Sequence, residues 1–196
     1  MTGFIGTAWI SKALSDNNMS ELAYRLLQNN LYPSWLYAVD QGATSIWERL
    51  NGYTVENGFG GNNSMNSFNH YSFGAVGQWM MAYSLGIQRK EPGFSEFILQ
   101  PEPDPTRKMT WARGYYDSMY GRINSGWKVQ NNILTYNMTI PANTTAILYL
   151  PSRSVNTIRE SGKKFSRVKG VTFVKYENGL AIFKVVSGNY IFSSEL

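Results

Sequence analysis

The sequence predicts an α+β chain in two parts, a helical N-terminal segment followed by an antiparallel β-sandwich. Up to about residue 94, apolar side chains recur at helical spacing, whereas later residues form short strand-like runs separated by turn signals. Four prolines between residues 92 and 105 mark the change in pattern. We therefore predict one domain over residues 1–94 and a second over residues 95–196.

Two helices open the first part. Residues 4–14 carry apolar side chains near helical spacing and end at a polar run. Asn18 and Glu21 have the spacing of a capping box, which predicts a second helix that starts there and continues to about residue 27. Their tight polar connection favours an antiparallel helical hairpin.

A long connection and a third helix complete this part. Residues 31–64 are rich in Gly, Asn and aromatic residues, and a connection of this length is usually functional or mobile. Asn66 or Ser67 can then cap a helix that runs to about residue 85. His70 would lie in the first turn of that helix, where the helix dipole disfavours a cationic imidazole.

Strands dominate the second part. The predicted strands are residues 108–116, 121–130, 133–140, 144–150, 171–176, 180–186 and 189–193. Asn131-Asn132 and Asn178-Gly179 are hairpin-turn dipeptides because both residue types tolerate positive φ. Short strands with frequent turns are typical of a β-sandwich.

Composition excludes several classes of function. The chain has no cysteine, so no disulfide framework or thiolate metal site is proposed, and one histidine with scattered acids gives no metal-ligand spacing. The net charge of +5 comes from scattered basic residues with a concentration over 153–175, and no nucleic-acid-binding motif accompanies it. We predict no metal, no cofactor, no nucleic-acid partner and no membrane span. The start carries no signal-peptide pattern, and the location of the protein stays open.

The segment over residues 32–81 has the composition of a sugar site. Flat aromatic rings grip the apolar faces of a pyranose, and a few polar groups bind its hydroxyls. The aromatic candidates are Trp35, Tyr37, Trp47, Tyr53, Phe59, Tyr71 and Trp79. Glycosidic hydrolysis also needs carboxylates, and Glu48 is the best placed of the three acids Asp40, Glu48 and Glu56. On spacing alone, the triplet Trp47-Glu48-Arg49 is more readily interpreted as a packed tryptophan beside a surface ion pair.

Longer sequence motifs indicate which kind of sugar enzyme the segment resembles. The words YPSWLY at residues 32–37, QGATSIWER at 41–49 and MNSFNHYSFGAVG at 65–77 resemble the catalytic barrel of bacterial α-L-rhamnosidases of glycoside hydrolase family 78. Downstream, YDSMYGRINSGW at 116–127 and IPANTTA at 140–146 resemble the β-sandwich that follows the barrel in those enzymes. The resemblance implies that the helical part comes from an (α/α) toroidal six-hairpin barrel.

The resemblance also implies roles for individual residues. Members are inverting glycosidases, and the glutamate of their W-E-R word, here Glu48, is the catalytic general base that activates water. The position of His70 contacts the sugar. Trp47 and Trp35 are further candidates for substrate binding, for which simple core packing is an equal alternative. The expected partner is a rhamnose-containing carbohydrate.

The barrel implied by the resemblance is incomplete in this chain. Residues 1–94 provide far fewer helices than a toroidal barrel needs, so we expect the missing upstream half of the barrel, or a homodimer partner, to cover an apolar helical face. The family's general acid lies upstream of the W-E-R word, and the only acids before residue 32 are Asp16 and Glu21. We therefore predict that the chain alone is inactive.

Two other functions fit parts of the pattern. The β-sandwich could act as a carbohydrate-binding or structural module without catalysis, with a binding strip formed by Trp111, Tyr115, Tyr116, Tyr120 and Trp127, although the same residues could fill its core. The helical part could also belong to a helical-barrel glycosidase of other sugar specificity.

Overall fold

Helices precede strands in the computed structural model, which describes residues 2–60 and 65–196. The described residues contain four α-helices: α1 (Phe4–Asp16), α2 (Ser20–Leu27), α3 (Trp35–Asp40) and α4 (Val76–Trp79). The chain divides into two compact units, Met1–Trp79 and Met80–Leu196. This confirms the predicted order of a helical part and a mostly β part, while the boundary between residues 94 and 95 stays a prediction.

Helix α1 buries small hydroxyl side chains rather than large apolar ones. Thr7, Ser11 and Ser15 are buried, at the i, i+4, i+8 spacing of one helix face. Ser15 accepts a hydrogen bond from the indole Nε1 of the buried Trp79 at 2.9 Å. Ile5 and Trp9 remain 82% and 59% exposed. The buried face of α1 is thus made of small side chains, and Ile5 and Trp9 point outward.

The predicted capping box at the start of α2 is wrong. Met19 is the N-cap residue, and no side chain caps the helix. Asn18 has φ 60 and therefore belongs to the turn between α1 and α2. Glu21 instead forms an ion pair with Arg25 at 2.6 Å, one turn further along α2.

The predicted third helix begins later than expected. A continuous helical stretch runs from a 3₁₀ turn (Ser72–Ala75) through α4 into a π-helical turn (Met80–Ser84). His70 therefore precedes the helical stretch and does not lie in its first turn. The predicted long connection also contains α3, whose N-cap Ser34 accepts a hydrogen bond from the amide of Tyr37 at 3.0 Å.

Nine strands form one sheet in the second unit. They are β1 (Ile87–Arg89), β2 (Glu96–Leu99), β3 (Trp111–Ser118), β4 (Gly121–Gln130), β5 (Ile133–Pro151), β6 (Arg159–Glu160), β7 (Lys163–Lys164), β8 (Val171–Glu177) and β9 (Leu180–Glu195). Short 3₁₀ turns lie at Pro92–Phe94, Val155–Thr157 and Phe165–Arg167. All strand pairs are antiparallel except β2 with β5, which is parallel.

Strands β5 and β9 run through the whole sheet, which the register shift in β5 divides into a first half, paired with residues 133–140, and a second half, paired with residues 145–151. They pair from Ile133 opposite Glu195 to Pro151 opposite Leu180, with a shift in register between Ile140 and Thr145. Strands β3 and β4 extend the first half, whereas β1, β2 and β8 extend the second. The sequence predicted separate strands here because a bulge and a break in a strand leave the same local signal.

The core of this unit is built from the inward side chains of both halves. Its largest fully buried members are Trp127, Tyr136, Phe97, Phe183, Phe192, Leu99, Ile123, Leu134, Leu148, Leu150 and Ile158. Trp127 is only 2% exposed, and its Nε1 donates to the carbonyl oxygen of Ser84 at 2.7 Å. Trp127 is therefore a core residue, which confirms the core-packing alternative for it and excludes it from an exposed binding strip.

The hairpin turns are confirmed, and one strand begins later than predicted. Asn131 and Asn132 have φ 50 and 60, as expected for the turn between β4 and β5. Strand β3 starts at Trp111 because the buried Asp104 carboxylate accepts hydrogen bonds from the amides of Thr106 (2.8 Å) and Met109 (2.9 Å), which holds those residues in a turn.

A buried tyrosine makes the stability of this unit sensitive to alkaline pH. Burial raises the pKa of the Tyr136 phenol well above its ordinary value, against the opposing effect of its hydrogen bond with Ser125. Above about pH 10 the unfolded chain loses this proton while the folded chain keeps it. The free energy of unfolding should therefore fall by about 1.4 kcal/mol for each pH unit between the unfolded and folded pKa values, and stay unaffected by this group below pH 10. Urea unfolding at several pH values measures the slope.

Tyr136→Phe is the matched control for this slope. The variant lacks the titrating group, so its loss of stability above pH 10 should be smaller than in the unmodified chain. Part of the slope should remain, because burial and the charge of Glu160 also raise the pKa of Tyr190. An unchanged slope in Tyr136→Phe would exclude Tyr136 as the source.

No helix among residues 2–60 and 65–196 is long and apolar enough to span a membrane.

Candidate functional site

Two segments of the first unit lie side by side and position the candidate residues. The amide of Glu48 donates to the carbonyl oxygen of Ser67 at 2.8 Å, and the amide of His70 donates to that of Ile46 at 2.8 Å. The Ser45 hydroxyl adds a bond to the carbonyl oxygen of Phe68. Residues 45–48 and 67–70 are thereby held together, so that Glu48 and His70 belong to one local structure although they are distant in sequence.

Glu48 is held by the backbone rather than by a neighbouring cation. Its Oε2 accepts a hydrogen bond from the amide of Ser67 at 2.7 Å, and the side chain is half-buried. Within the described residues, no ion pair joins Glu48 to Arg49. The alternative of a surface ion pair in the W-E-R triplet is therefore wrong, and one carboxylate oxygen of Glu48 has no protein partner among these residues.

Glu48 lines a shallow cavity of about 310 Å³. Besides Glu48, its lining residues are Thr2, Gly3, Phe4, Arg49, Asn51 and Phe73. The rings of Phe4 and Phe73 pack edge to face with centroids 5.1 Å apart. An acid thus lies beside two apolar rings, which is the combination that a sugar ring requires.

His70 lies next to this cavity through its contact with Phe4. The two rings stack with centroids 5.1 Å apart, and Tyr71 stacks with the imidazole at 5.3 Å. His70 Nδ1 accepts a hydrogen bond from the amide of Ser72 at 3.3 Å. Because an accepting Nδ1 carries no proton, the geometry places the proton on Nε2, which is then available as a donor.

Trp47 and Trp35 occupy different environments. Trp47 is 6% exposed and packs against Tyr53, Phe59 and Phe68, with ring centroids 5.5 to 6.5 Å apart. Trp35 is half-buried, and its Nε1 donates to the carbonyl oxygen of Phe73 at 3.0 Å. The packing of Trp47 is that of a core aromatic residue, whereas Trp35 also anchors the backbone of a cavity residue. Their role in substrate binding stays a prediction.

No sequence pattern marked Phe4, Phe73 or Ser67 as a site residue. Phe4 begins the first predicted helix, and Phe73 is one of several apolar residues within the third predicted helix. Ser67 enters the site through its backbone amide, a group that every residue except proline carries. These positions become recognisable only once the chain is folded.

The two early acids lie in surface ion pairs. Asp16 pairs with Lys12 on α1, and Glu21 pairs with Arg25 on α2. In the part of the chain that the structure describes, no group of three or more His, Asp or Glu side chains could hold a metal ion. Among the described residues that line the cavity, Glu48 is the only one with a carboxylate.

Known sequences resemble the chain along its whole length. Residues 1–84 match the sequence model of the bacterial α-L-rhamnosidase six-hairpin glycosidase domain, and residues 86–165 match that of the bacterial α-L-rhamnosidase C-terminal domain. α-L-Rhamnosidases from Formosa agariphila and Streptomyces avermitilis are each 34% identical to it, over 194 and 192 residues. These alignments cover 99% and 98% of this chain but 21% and 18% of the relatives.

Solved structures agree with the sequence comparisons. The Streptomyces avermitilis α-L-rhamnosidase complexed with L-rhamnose superposes with a TM-score of 0.87 at 34% identity, over 99% of this chain and 18% of that one. The α-L-rhamnosidase from Dictyoglumus thermophilum superposes with a TM-score of 0.82 at 28% identity, over 100% and 21%. The chain spans about a fifth of the length of the relatives it matches. It belongs to the bacterial α-L-rhamnosidase family, whose six-hairpin glycosidase and C-terminal domains it matches in that order.

Proposed function

We propose that this chain is the C-terminal portion of an inverting α-L-rhamnosidase that hydrolyses terminal α-L-rhamnosyl residues from glycosides or polysaccharides. Glu48 is its general base and His70 a sugar contact. The observation that carries the proposal is the Glu48 carboxylate, held through one oxygen by the Ser67 amide beside the cavity lined by Phe4 and Phe73. The family and its rhamnose-bound relative supply the choice of sugar.

The geometry suits Glu48 to the activation of water. The hydrogen bond from Ser67 fixes the orientation of the carboxylate, so its second oxygen can accept a proton from water without reorganising. An inverting enzyme places its acid and base about 6.5–9.5 Å apart, on opposite faces of the sugar. In this proposal the water attacks C1 as Glu48 takes its proton, while an acid outside the chain protonates the departing oxygen.

His70 is proposed to orient the sugar. Its Nδ1 is occupied by the Ser72 amide, so the Nε2–H is the group that can donate to a hydroxyl. The stack with Phe4 and Tyr71 restricts the rotation of the imidazole. Phe4 and Phe73 would provide the apolar contact for the C–H face of the ring.

The rest of the barrel is the proposed partner of the helical unit. The outward face of α1 leaves Ile5 82% exposed and Trp9 59% exposed. Large apolar side chains in this number on one helix are typical of a face that another part of the protein covers. We assign that role to the upstream half of the six-hairpin domain, with a second copy of the chain as the alternative.

The chain alone should not hydrolyse rhamnosides measurably. It lacks the general acid, whose assistance is typically worth roughly 10²–10⁴ in rate, and it lacks the opposite wall of the sugar site. The purified chain, incubated with an aryl α-L-rhamnoside, should release no aryl alcohol above the buffer rate. The complete enzyme, in which the upstream barrel residues precede this chain, should release it and yield β-L-rhamnose as the first product by NMR. Activity of the chain alone, or α-L-rhamnose as first product, would contradict the proposal.

A second candidate function is sugar binding by the β unit without catalysis. It is favoured by one observation, a groove of about 630 Å³ on the outer face of that unit, lined by apolar and aromatic surface together with several amide groups.

A further inference from the structure

The groove lies on the outer face of strands β3, β4, β5 and β9. Strand register places two rows of outward side chains beside each other. The first row is Arg113, Gly126, Asn137 and Ile191, and the second is Tyr115, Asn124, Thr139 and Asn189. Residues of the row between them point inward, where Ser125 and Met138 are buried. The volume of about 630 Å³ is in the range of small-molecule sites.

Gly126 creates the concavity. It occupies the middle of the face, between Arg113 on β3 and Asn137 on β5. A Cβ built at Gly126 would lie 3.3 Å from Cβ of Arg113, so any side chain there would push into the groove or against that arginine. The floor is therefore open because the residue at its centre has no side chain.

Amide groups surround this floor. Asn124 and Asn137 line the groove, and neither side chain has a hydrogen-bond partner within residues 2–60 and 65–196. Asn189 also lines it, and its Oδ1 accepts a bond from the Thr139 hydroxyl at 2.7 Å, which orients the amide. An amide both donates and accepts, which matches the paired hydroxyls of a sugar.

Tyr115 provides a fixed aromatic wall. Its ring is 52% exposed, and the guanidinium of Arg122 lies 3.8 Å from the ring centroid. Arg122 is itself held by Asp117, with Nε to Oδ1 at 2.7 Å and Nη2 to Oδ2 at 3.2 Å. Along β4, Arg122 and Gly126 lie on opposite sides of Asn124, which is the partner of Tyr115. Arg122 therefore contacts the face of the Tyr115 ring that points away from Gly126, and the other face remains open to the groove.

Arg113 gives the groove a positive charge. It is the only charged side chain among the described lining residues, and none of the ion pairs in the described ranges includes it. Asp117 is neutralised by Arg122. Glu160 is buried outside the lining, where its Oε1 accepts from the Ser161 hydroxyl (2.8 Å) and the Ile191 amide (3.2 Å). An anionic group on the ligand complements this arrangement.

We propose that this groove binds a saccharide that carries a carboxylate, as a non-catalytic site of the β unit. The amides of Asn124, Asn137 and Asn189 bind hydroxyls, Tyr115 packs against a ring face, and Arg113 binds the carboxylate. Only the expectation that the saccharide contains rhamnose rests on the proposed hydrolytic function. Such a site would hold an acidic polysaccharide near the enzyme that trims it.

A pair of matched ligands tests the proposal on the 196-residue chain. The probes are a rhamnogalacturonan oligosaccharide, in which rhamnose alternates with galacturonate, and its carboxyl-reduced form. Calorimetry should show binding of the acidic form, with about tenfold weaker binding of the reduced form, the loss expected for one hydrogen bond to a charged group. Amide NMR shifts should concentrate at Tyr115, Asn124 and Asn137. Hydrolysis is not measured, so failure of binding and failure of the catalytic proposal are separate results.

Variants locate the site. Arg113→Gln should lower the affinity for the acidic ligand by about tenfold, so that the variant binds both ligands equally. Asn137→Leu changes an exposed residue and should leave strand β5 intact. It should lower the affinity for both ligands roughly two- to tenfold. Gly126→Val should abolish binding by filling the floor. Lys175→Gln removes a cation from β8, outside the groove, and should bind both ligands as the unmodified chain does, with all variants showing the same far-ultraviolet circular dichroism.

Three results would overturn the proposal. The first is no binding of the acidic oligosaccharide. The second is equal binding of the acidic and reduced forms by the unmodified chain. The third is binding that Arg113→Gln and Asn137→Leu leave unchanged, with NMR shifts around Glu48 and His70 instead, which would assign the binding to the candidate catalytic site.

Discussion

Glu48→Gln should lower the turnover of an aryl α-L-rhamnoside by the complete enzyme by roughly 10²–10⁴, the usual contribution of a positioned general base. Glutamine has nearly the same size, and its carbonyl oxygen can still accept the hydrogen bond that Glu48 receives from Ser67. The cavity should therefore keep its shape and its affinity for substrate. What the amide cannot do is take a proton from water, so kcat should fall while KM changes little.

Two comparisons separate this effect from misfolding. Glu56 lies in the same segment, is exposed and has no proposed role, so Glu56→Gln should retain activity. Azide is a nucleophile that needs no deprotonation, so adding it should restore turnover to Glu48→Gln by forming the β-glycosyl azide. Full activity of Glu48→Gln, or no rescue by azide in a folded variant, would remove Glu48 from the role of base.

The largest effect on stability is expected at the centre of the β unit. Trp127→Ala should lower its free energy of unfolding by about 3–5 kcal/mol, because the substitution leaves a large cavity in a close-packed core. The indole is 2% exposed, and its loss also leaves the Ser84 carbonyl oxygen without its 2.7 Å hydrogen bond. Urea unfolding followed by circular dichroism at a β-sheet wavelength measures the difference.

Trp111→Ala is the control for this substitution. Trp111 is also a strand tryptophan, but it is 56% exposed and lies on the outer face of the sheet. Its removal should change the free energy of unfolding by about 0.5 kcal/mol or less, as for most surface substitutions. Similar losses for Trp111→Ala and Trp127→Ala would mean that core packing does not account for the stability of the unit.

Sequence patterns predicted the two kinds of structure because each depends on local signals. The period of the apolar residues gave α1, and Asn-containing dipeptides gave the turns before β5 and β9. The delayed start of the last helix was not predicted, because the backbone of residues 67–70 pairs with residues 45–48 and cannot also enter a helix. These long-range hydrogen bonds, rather than the capping preference of Ser67, therefore determine where the helix starts.

The candidate site was only partly predictable for the same reason. Glu48 and His70 stood out because few residue types can perform their chemistry, and the words around them resemble a known family. The walls of the cavity, Phe4 and Phe73, are ordinary apolar residues in helical patterns. Their role depends on which residues meet in space. The burial of Trp127 and the exposure of Tyr115 on neighbouring strands likewise follow from register, which a single sequence does not specify.

Strand β9 changes how the limits of the second family domain are understood. The match to the C-terminal domain ends at residue 165, yet β9 (Leu180–Glu195) pairs with β5 along nearly its whole length. It also contributes Phe183 and Phe192, both fully buried. A protein cut at residue 165 would lose the strand that lies beside β5 in both halves of the sheet and would expose a long unpaired edge to other molecules. The folded domain therefore extends through β9, and a fusion or truncation should be made after that strand.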